Sequence, residues 1–280
     1  MLTRIITSVV AAVALLLPAL LLSHTIVFPI AVGIFTAIGL FEMFKCIGLY
    51  KQLTLTLPVY IVALIMPLGV RYVGDRTRLV IACFIISVIY LIYLFAHIIW
   101  SHGKLSFADG ALLMITSIYI IAAMNSVVYI RDFGDSGKYG YLLIFIGAWI
   151  TDIFAYFTGR FLGKHKLIED VSPKKTVEGS IGGIFFCALS FAVYGILVNR
   201  LAGHSTNILL LVACGIVISI VSQIGDLIMS VIKRHYGIKD YGKLFPGHGG
   251  VLDRFDSVLA VSLTLAAACM LSSLLGITII

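Results

Sequence analysis

Residues 79–100 read LVIACFIISVIYLIYLFAHIIW, a run without a single Asp, Glu, Lys or Arg. A helix of about 20 such residues is long enough to cross the hydrocarbon core of a bilayer. Of the 280 residues, 61% are hydrophobic and only 12% are charged, whereas about a quarter of the residues of a soluble domain are charged. The sequence therefore predicts an integral membrane protein whose outer surface faces lipid.

Similar apolar runs recur along the whole chain and predict an all-α protein with nine transmembrane helices. The first two runs meet at Ser23-His24, so we expect a tight helical hairpin there. Pro58 and Pro67 leave open whether the third run is one helix or two pieces. The predicted spans are 5–22, 25–44, 54–73, 79–100, 107–130, 139–160, 179–199, 206–232 and 256–279.

The basic residues fall mainly on one side of this arrangement. With alternating spans, the N-terminus and the loops after spans two, four, six and eight share a side and carry most of the 20 Lys and Arg residues. The positive-inside rule places that side in the cytoplasm. The loops after residue 140 are long and basic, and the earlier loops are not. We therefore predict a scaffold or dimerisation region at 1–135. The predicted catalytic region is 136–280, with cytoplasmic loops 160–178 and 233–255.

Polar residues in span eight form a single stripe. Ser219, Gln223, Asp226, Ser230 and Lys233 are spaced by four, three, four and three residues, which places them on one face of a helix. A charge inside a span is costly and usually faces a cavity or the bundle interior. Ser and Gln also link helices, but a stripe that ends in Asp and Lys beside a basic loop favours a functional site.

The loop after span eight reads KRHYGIKDYGKLFPGHGGVLDRFDS, from Lys233 to Ser257. Its cations suit phosphate oxygens, and its glycines allow backbone to approach a ligand closely. Asp253 and Asp256 lie at i and i+3, so both can face one way and hold a hard cation such as magnesium. The alternative is a solvated loop with two aspartates that stabilise a helix N-terminus.

The loop before span seven reads GRFLGKHKLIEDVSPKKTVEGSIGG, over residues 159–183. Ser172-Pro173 resembles a helix N-cap with a first-turn proline, so we expect span seven to enter there, and helix N-termini bind phosphate readily. The alternative is a basic anchor for acidic lipid headgroups. The spacing of Gly179 and Gly183 is more typical of close helix packing. The charged candidate site residues in this segment are Lys174, Lys175 and Glu178.

Two further carboxylates lie inside predicted spans. Asp152 in span six fits either a buried pairing with a basic group or a place in the same polar cavity. Glu42 near the end of span two carries a weaker signal. Together, the cations, carboxylates and helix N-termini predict a polar cavity open to the cytoplasmic face. Such a cavity suits a phosphorylated, partly lipidic substrate and a divalent metal, as in phosphoryl or nucleotidyl transfer.

The second half of the chain resembles the phosphatidate cytidylyltransferases of bacteria, also called CDP-diacylglycerol synthases. The resemblance lies in S-x-I-K-R at 230–234, K-D at 239–240 and F-P-x-H-G-G-V-x-D-R-F-D at 245–256. Upstream, G-R at 159–160, G-K-H-K-L at 163–167 and S-P-K-K-T at 172–176 also resemble the bacterial members. The specific likeness covers about residues 147–260, and the earlier residues match only in being apolar and multi-span.

This resemblance implies that CTP and phosphatidic acid give CDP-diacylglycerol and pyrophosphate at the cytoplasmic face of a bacterial inner membrane. It implies a catalytic set of Asp226, Lys233 and Asp253, and magnesium, with room for a second cation, on Asp226, Asp253 and Asp256. The implied substrate-binding residues are Ser172, Lys174, Lys175, Glu178, Arg234, Lys239, His248 and Arg254. We also expect membrane lipid as a partner, a homodimer and no nucleic-acid partner.

Two other functions stay open at this point. A CTP-dependent lipid-alcohol kinase would transfer the γ-phosphate and release CDP instead of pyrophosphate. An ion-coupled transporter would use Asp152 and Asp226 within the membrane, although transporters often show internal repeats, and we find none in this sequence.

Overall fold

The computed structural model describes residues 21–103, 105–203, 205–245, 247 and 249–276. These residues form long helices and one two-stranded sheet. In chain order the elements are α1 (Val27–Cys46), α2 (Leu53–Tyr72), α3 (Arg76–Trp100), α4 (Phe107–Arg131), α5 (Gly137–Gly140), α6 (Leu142–Leu162), β1 (Lys166–Ile168), β2 (Ser172–Thr176), α7 (Val177–Ala202), α8 (Ile208–His235) and α9 (Leu252–Leu275).

Eight of the predicted spans are confirmed. Within the described residues, eight helices are long and apolar enough to cross a membrane, with α5 and α6 together making one of them. They match predicted spans two to nine, with ends that differ by a few residues. The predicted span 5–22 lies almost entirely outside the described residues, so the count of nine stays a prediction. The third predicted span is one continuous helix, α2, with Pro58 and Pro67 inside it.

The structure divides into two compact units, Met1–Val128 with Asp240–Asp253, and Tyr129–Lys239 with Arg254–Ile280. The division after Val128 does not test the predicted regions, whose boundary at 135/136 stays a prediction. The segment Asp240–Asp253, which the sequence analysis placed in the catalytic region, groups with the N-terminal helices. The roles predicted for the two regions stay predictions.

The first unit is held by close contacts between neighbouring helices. Gly33 of α1 lies against α2, where a Cβ atom would be 3.1 Å from the carbonyl oxygen of Leu64. The Tyr90 hydroxyl of α3 donates to the Leu55 carbonyl of α2 at 2.9 Å. The Arg71 guanidinium at the end of α2 donates to the carbonyl oxygens of Ser23 and Thr25. These bonds fix the turn before α1, where the sequence predicts the hairpin.

In the second unit, α6, α7 and α8 pack closely. Small residues of α7 allow this, because a Cβ at Gly179 would lie 2.6 Å from the Ala155 carbonyl oxygen and one at Gly183 would lie 3.1 Å from the Thr151 carbonyl oxygen. The close-packing interpretation of the glycines in this helix is therefore confirmed. Phe154 and Phe186 stack nearby, with their ring centroids 4.1 Å apart.

The start of α7 differs from the prediction. The proposed N-cap at Ser172 is wrong, because 172–176 form strand β2, which pairs antiparallel with β1. The N-cap is Thr176, whose hydroxyl accepts from the Gly179 amide at 3.1 Å. Hydrogen bonds between β1 and β2 hold this segment extended. Pro173 is tolerated in β2 because the sheet has only these two strands, so β2 has a partner on one side only. We call residues 163–176 the basic hairpin.

Candidate active site

The basic hairpin brings one lysine to the polar stripe of α8. Lys175 Nζ lies 2.6 Å from Oδ2 of Asp226, and both side chains are about one-quarter exposed. Lys174, the neighbour of Lys175 in β2, is exposed instead. The structure thus joins two segments that are widely separated in the sequence, in one ion pair.

The polar stripe of α8 faces the other helices of its unit, as its spacing predicts. The Thr151 hydroxyl of α6 donates to the Ser219 hydroxyl at 2.9 Å. The Gln223 amide donates to the Ser180 carbonyl of α7 at 3.3 Å. These bonds link helices, which the sequence analysis held as the alternative for Ser and Gln. The Asp226 carboxylate accepts from Ser230 at 3.3 Å, one turn further along.

Asp152 of α6 joins the same cluster, which the sequence analysis left undecided. Its carboxylate accepts from the Ser257 hydroxyl at 3.2 Å, and it lies within electrostatic range of Asp226, Lys175 and Arg254. Asp152 is accessible in the middle of a spanning helix. A charge that faces lipid is costly, so this position agrees with the predicted polar cavity, which stays a prediction.

Asp256 and Lys233 complete the cluster in the second unit. Asp256 lies within electrostatic range of Asp226, Asp152 and Lys233. Lys233 is buried, with 9% of its surface exposed, although it carries a charge near the end of α8. We call this set the carboxylate cluster, and its members are Asp152, Lys175, Asp226, Lys233 and Asp256.

Other predicted site residues lie at the ends of these elements. Glu178, in the first turn of α7, bonds to His165, with its Oε1 2.6 Å from the ring Nδ1 and its Oε2 accepting from the His165 amide at 3.3 Å. Arg234 is exposed at the end of α8 and donates to the Ile238 carbonyl. Of the other residues predicted to bind substrate, Ser172 is half-buried, and Lys239 and Arg254 are exposed. His248 lies outside the described residues.

Asp253 lies in the first unit and holds a loop. Its Oδ2 accepts hydrogen bonds from the backbone amides of Tyr241 at 2.8 Å and Gly250 at 2.9 Å. A Cβ at Gly249, whose φ is +82°, would lie 2.6 Å from the same oxygen. We call residues 240–252 the signature loop. Asp253 therefore has an observed structural contact in addition to its predicted catalytic role.

Glu42 of α1 is a second carboxylate that holds the signature loop, although its signal in the sequence is weak. Its Oε1 and Oε2 accept from the amides of Val251 at 3.0 Å and Leu252 at 2.9 Å. Glu42 is only 4% exposed. A signal was present, because an acidic residue within a span has to find partners, but the sequence does not say which.

The donor chemistry of the carboxylate cluster suits magnesium, which binds oxygen ligands and dehydrates reluctantly. In the residues that the structure describes, however, no group of three or more His, Cys, Asp or Glu side chains is arranged to hold a metal ion. The Lys175 ammonium instead contacts Asp226. The magnesium site therefore stays a prediction.

Further along α8 and α9, a groove of about 290 Å³ has a largely apolar lining, so it is not the predicted polar cavity. Its lining residues include Cys214, Ile218, Thr264, Ala268 and Leu271.

A sequence model of the cytidylyltransferase family matches residues 2–272. The chain belongs to the cytidylyltransferase family. Membership makes it a nucleotidyltransferase, and it confirms the family that the signature motifs indicate. Because the match covers almost the whole chain, it also takes in the apolar first half, where the sequence alone gave no specific likeness.

Individual relatives agree with this family. A protein of Staphylococcus aureus called phosphatidate cytidylyltransferase is 30% identical over 258 residues, which is 92% of this chain and 95% of the relative. Proteins of the same name from Staphylococcus haemolyticus and Staphylococcus saprophyticus are 39% and 37% identical over 168 residues. In each of these two cases the matched segment is 60% of this chain and 62% of the relative.

Proposed function

We propose that this chain is a phosphatidate cytidylyltransferase, which transfers CMP from CTP to phosphatidic acid. The observation that carries the proposal is the likeness to the S. aureus protein of that name over 92% of the chain. The carboxylate cluster supports it, because charged groups inside spanning helices are expected where a polar substrate is handled. This likeness favours nucleotidyl transfer over the lipid-alcohol kinase and the transporter.

In the proposed step, a phosphate oxygen of phosphatidic acid attacks the α-phosphorus of CTP. A new P–O–P bond forms, the bond between the α-phosphorus and the bridging oxygen breaks, and pyrophosphate leaves with the bonding electrons. A phosphate monoester is largely ionised near neutral pH, so the attack needs no general base. The main task of the protein is to position two anions that repel each other and to neutralise their charge.

The proposed roles of the side chains combine their positions with the family resemblance. Lys233 and Lys175 supply positive charge at the carboxylate cluster. Arg234 and Arg254 lie at helix ends and Lys239 lies in the loop after α8, and their cations suit phosphate groups. Ser172, Lys174 and Glu178 of the basic hairpin and first turn of α7, together with His248, are assigned to substrate by the family resemblance. The family resemblance assigns magnesium to Asp226, Asp253 and Asp256, and the metal would neutralise charge on the CTP phosphates when bound.

We place the site at the cytoplasmic face of a bacterial inner membrane. The basic hairpin, the last turn of α8 with Lys233, Arg234 and His235, and Arg254 at the start of α9 share one end of the spanning helices of the second unit. This concentration of positive charge supports the cytoplasmic side. Homodimer formation remains a prediction, and a mass measurement of the purified protein in detergent tests it.

The direct test is transfer of label into lipid. Purified protein in detergent is incubated with phosphatidic acid, magnesium and CTP labelled on the α-phosphate, beside an Asp226→Asn variant. We expect lipid-bound label and released pyrophosphate with the wild type, and a strong loss with the variant. A folded wild type that moves no label would overturn the proposal, and transfer from γ-labelled CTP to diacylglycerol would instead support the kinase.

A further inference from the structure

Glu42 of α1 makes two hydrogen bonds to backbone far away in the sequence. One oxygen accepts from Val251 at 3.0 Å and the other from Leu252 at 2.9 Å. These two amides lie where the signature loop ends and α9 begins. The first amides of a helix have no partner within the helix, and the helix dipole favours a negative group at this end.

The glycines of the signature loop fit the Glu42 carboxylate. A Cβ atom at Gly242 or at Gly250 would lie 2.1 Å from Oε1 of Glu42, which is far closer than any contact distance allows. Neither glycine needs a left-handed backbone. What these two glycines provide in this structure is therefore space, because the backbone has to approach a buried carboxylate closely. The group approached is thus a carboxylate of the same chain, whereas the glycine pattern by itself favours an outside ligand.

Glu42 and Asp253 divide the loop between them. Asp253 bonds the amides of Tyr241 and Gly250, and Glu42 bonds the next two amides, Val251 and Leu252. Four backbone N–H groups at the two ends of the loop are thus held by two carboxylates. Because one of these carboxylates is on α1, the conformation of the loop depends on a helix that carries none of the family motifs.

We infer that Glu42 is a positioning residue of the cytidylyltransferase reaction, which fixes the signature loop and with it the backbone around Asp253. The inference rests on the proposed function and adds to it a residue outside the motifs. Glu42 itself is buried behind the loop, so it acts through the loop amides and has no role in contact with the substrate. Without this carboxylate, the amides of Val251 and Leu252 would lose their acceptors. A buried amide without a hydrogen-bond partner destabilises the conformation that contains it.

The test compares Glu42→Ala and Glu42→Gln with a matched control on the same helix, Thr36→Val. Thr36 is likewise buried in α1, and its hydroxyl donates to the Val32 carbonyl of its own helix. We expect on the order of a 100-fold loss of kcat/KM for Glu42→Ala, as for a misplaced active-site segment. Glu42→Gln keeps one acceptor and turns a donor toward the other amide, so its activity should lie between those of the wild type and Glu42→Ala.

Hydrogen exchange separates positioning from general destabilisation. In the Glu42 variants we expect faster exchange in a peptide that covers residues 240–252, with unchanged exchange in a peptide of α7. Faster exchange across both peptides, or lost activity with an unchanged signature loop, would overturn the inference. A Gly250→Ala variant should reproduce the faster exchange with Glu42 intact, since its Cβ displaces the carboxylate, and an unchanged loop in that variant would also contradict it.

The same experiment distinguishes this inference from the proposed function. If the wild type transfers no label from CTP to phosphatidic acid, the proposed function fails. The exchange measurement still reports whether Glu42 holds the signature loop, because it needs no substrate.

Discussion

Lys175 Nζ of strand β2 lies 2.6 Å from Asp226 Oδ2 of helix α8, and each side chain is about three-quarters buried. The pair joins the basic hairpin to the polar stripe of a spanning helix. Ion pairs on an open surface contribute little to stability, whereas removing one partner of a shielded pair leaves an uncompensated charge. The pair is also close to Asp152 and Asp256, so it belongs to the carboxylate cluster.

The first prediction concerns this pair. Lys175→Met and Asp226→Asn should each lower kcat/KM for CMP transfer by about 100-fold, the usual effect of losing one charge-stabilising group. The double variant should lose far less than the product of the two single losses, because both substitutions break the same interaction. Lys51→Met, which removes an exposed charge in the first unit, is the control. Multiplicative losses would show that the two residues act separately.

The second prediction concerns Asp152. Asp152→Asn should lower activity by about tenfold and raise the magnesium concentration needed for half-maximal rate, as expected for a carboxylate that supports a metal site from close by. Glu169→Gln, a carboxylate exposed in the turn of the basic hairpin, serves as control. The measurement is a magnesium titration of CMP transfer. An unchanged titration in Asp152→Asn would separate this residue from metal binding.

The third prediction concerns the metal itself. Chelation with EDTA should abolish CMP transfer by the wild type, and added magnesium should restore it, because the triphosphate and the lipid phosphate otherwise repel each other. Asp256→Asn should need more magnesium for the same recovery. Full activity in the presence of excess chelator would contradict the assignment of carboxylates to metal binding, while leaving the transferase reaction in place.

The fourth prediction concerns helix packing. Gly179→Ala should destabilise the second unit by roughly 1–3 kcal/mol, the range for overpacking, because its Cβ would lie 2.6 Å from the rigid Ala155 carbonyl. The control is Gly74→Ala, where nothing lies within 4 Å of the added Cβ. Thermal unfolding in detergent is the measurement. Equal melting temperatures for the two variants would mean that α6 and α7 separate without cost.

The spanning helices could be predicted well from the sequence. An apolar run of about 20 residues has few alternatives to a membrane helix, since every backbone group has to be bonded within the segment. The ends were less certain, as the start of α7 shows. Ser172-Pro173 has the right residues for a helix start, but pairing with β1 keeps that segment extended, and Thr176 takes the N-cap. The pairing of Ser172 with Ile168 and of Thr176 with Lys166 is not visible in local capping preferences.

The sequence by itself determined the membrane class, eight of the spans, the polar face of α8 and the family motifs, because these depend on periodicity and residue type along one segment. Only the tertiary structure decided which carboxylates meet which partners. It brought Asp152 and Lys175 to Asp226, and it set Glu42 of α1 against the amides of Val251 and Leu252. The physical reason is that a buried charge requires a partner, but the choice of partner depends on how helices far apart in the chain pack together.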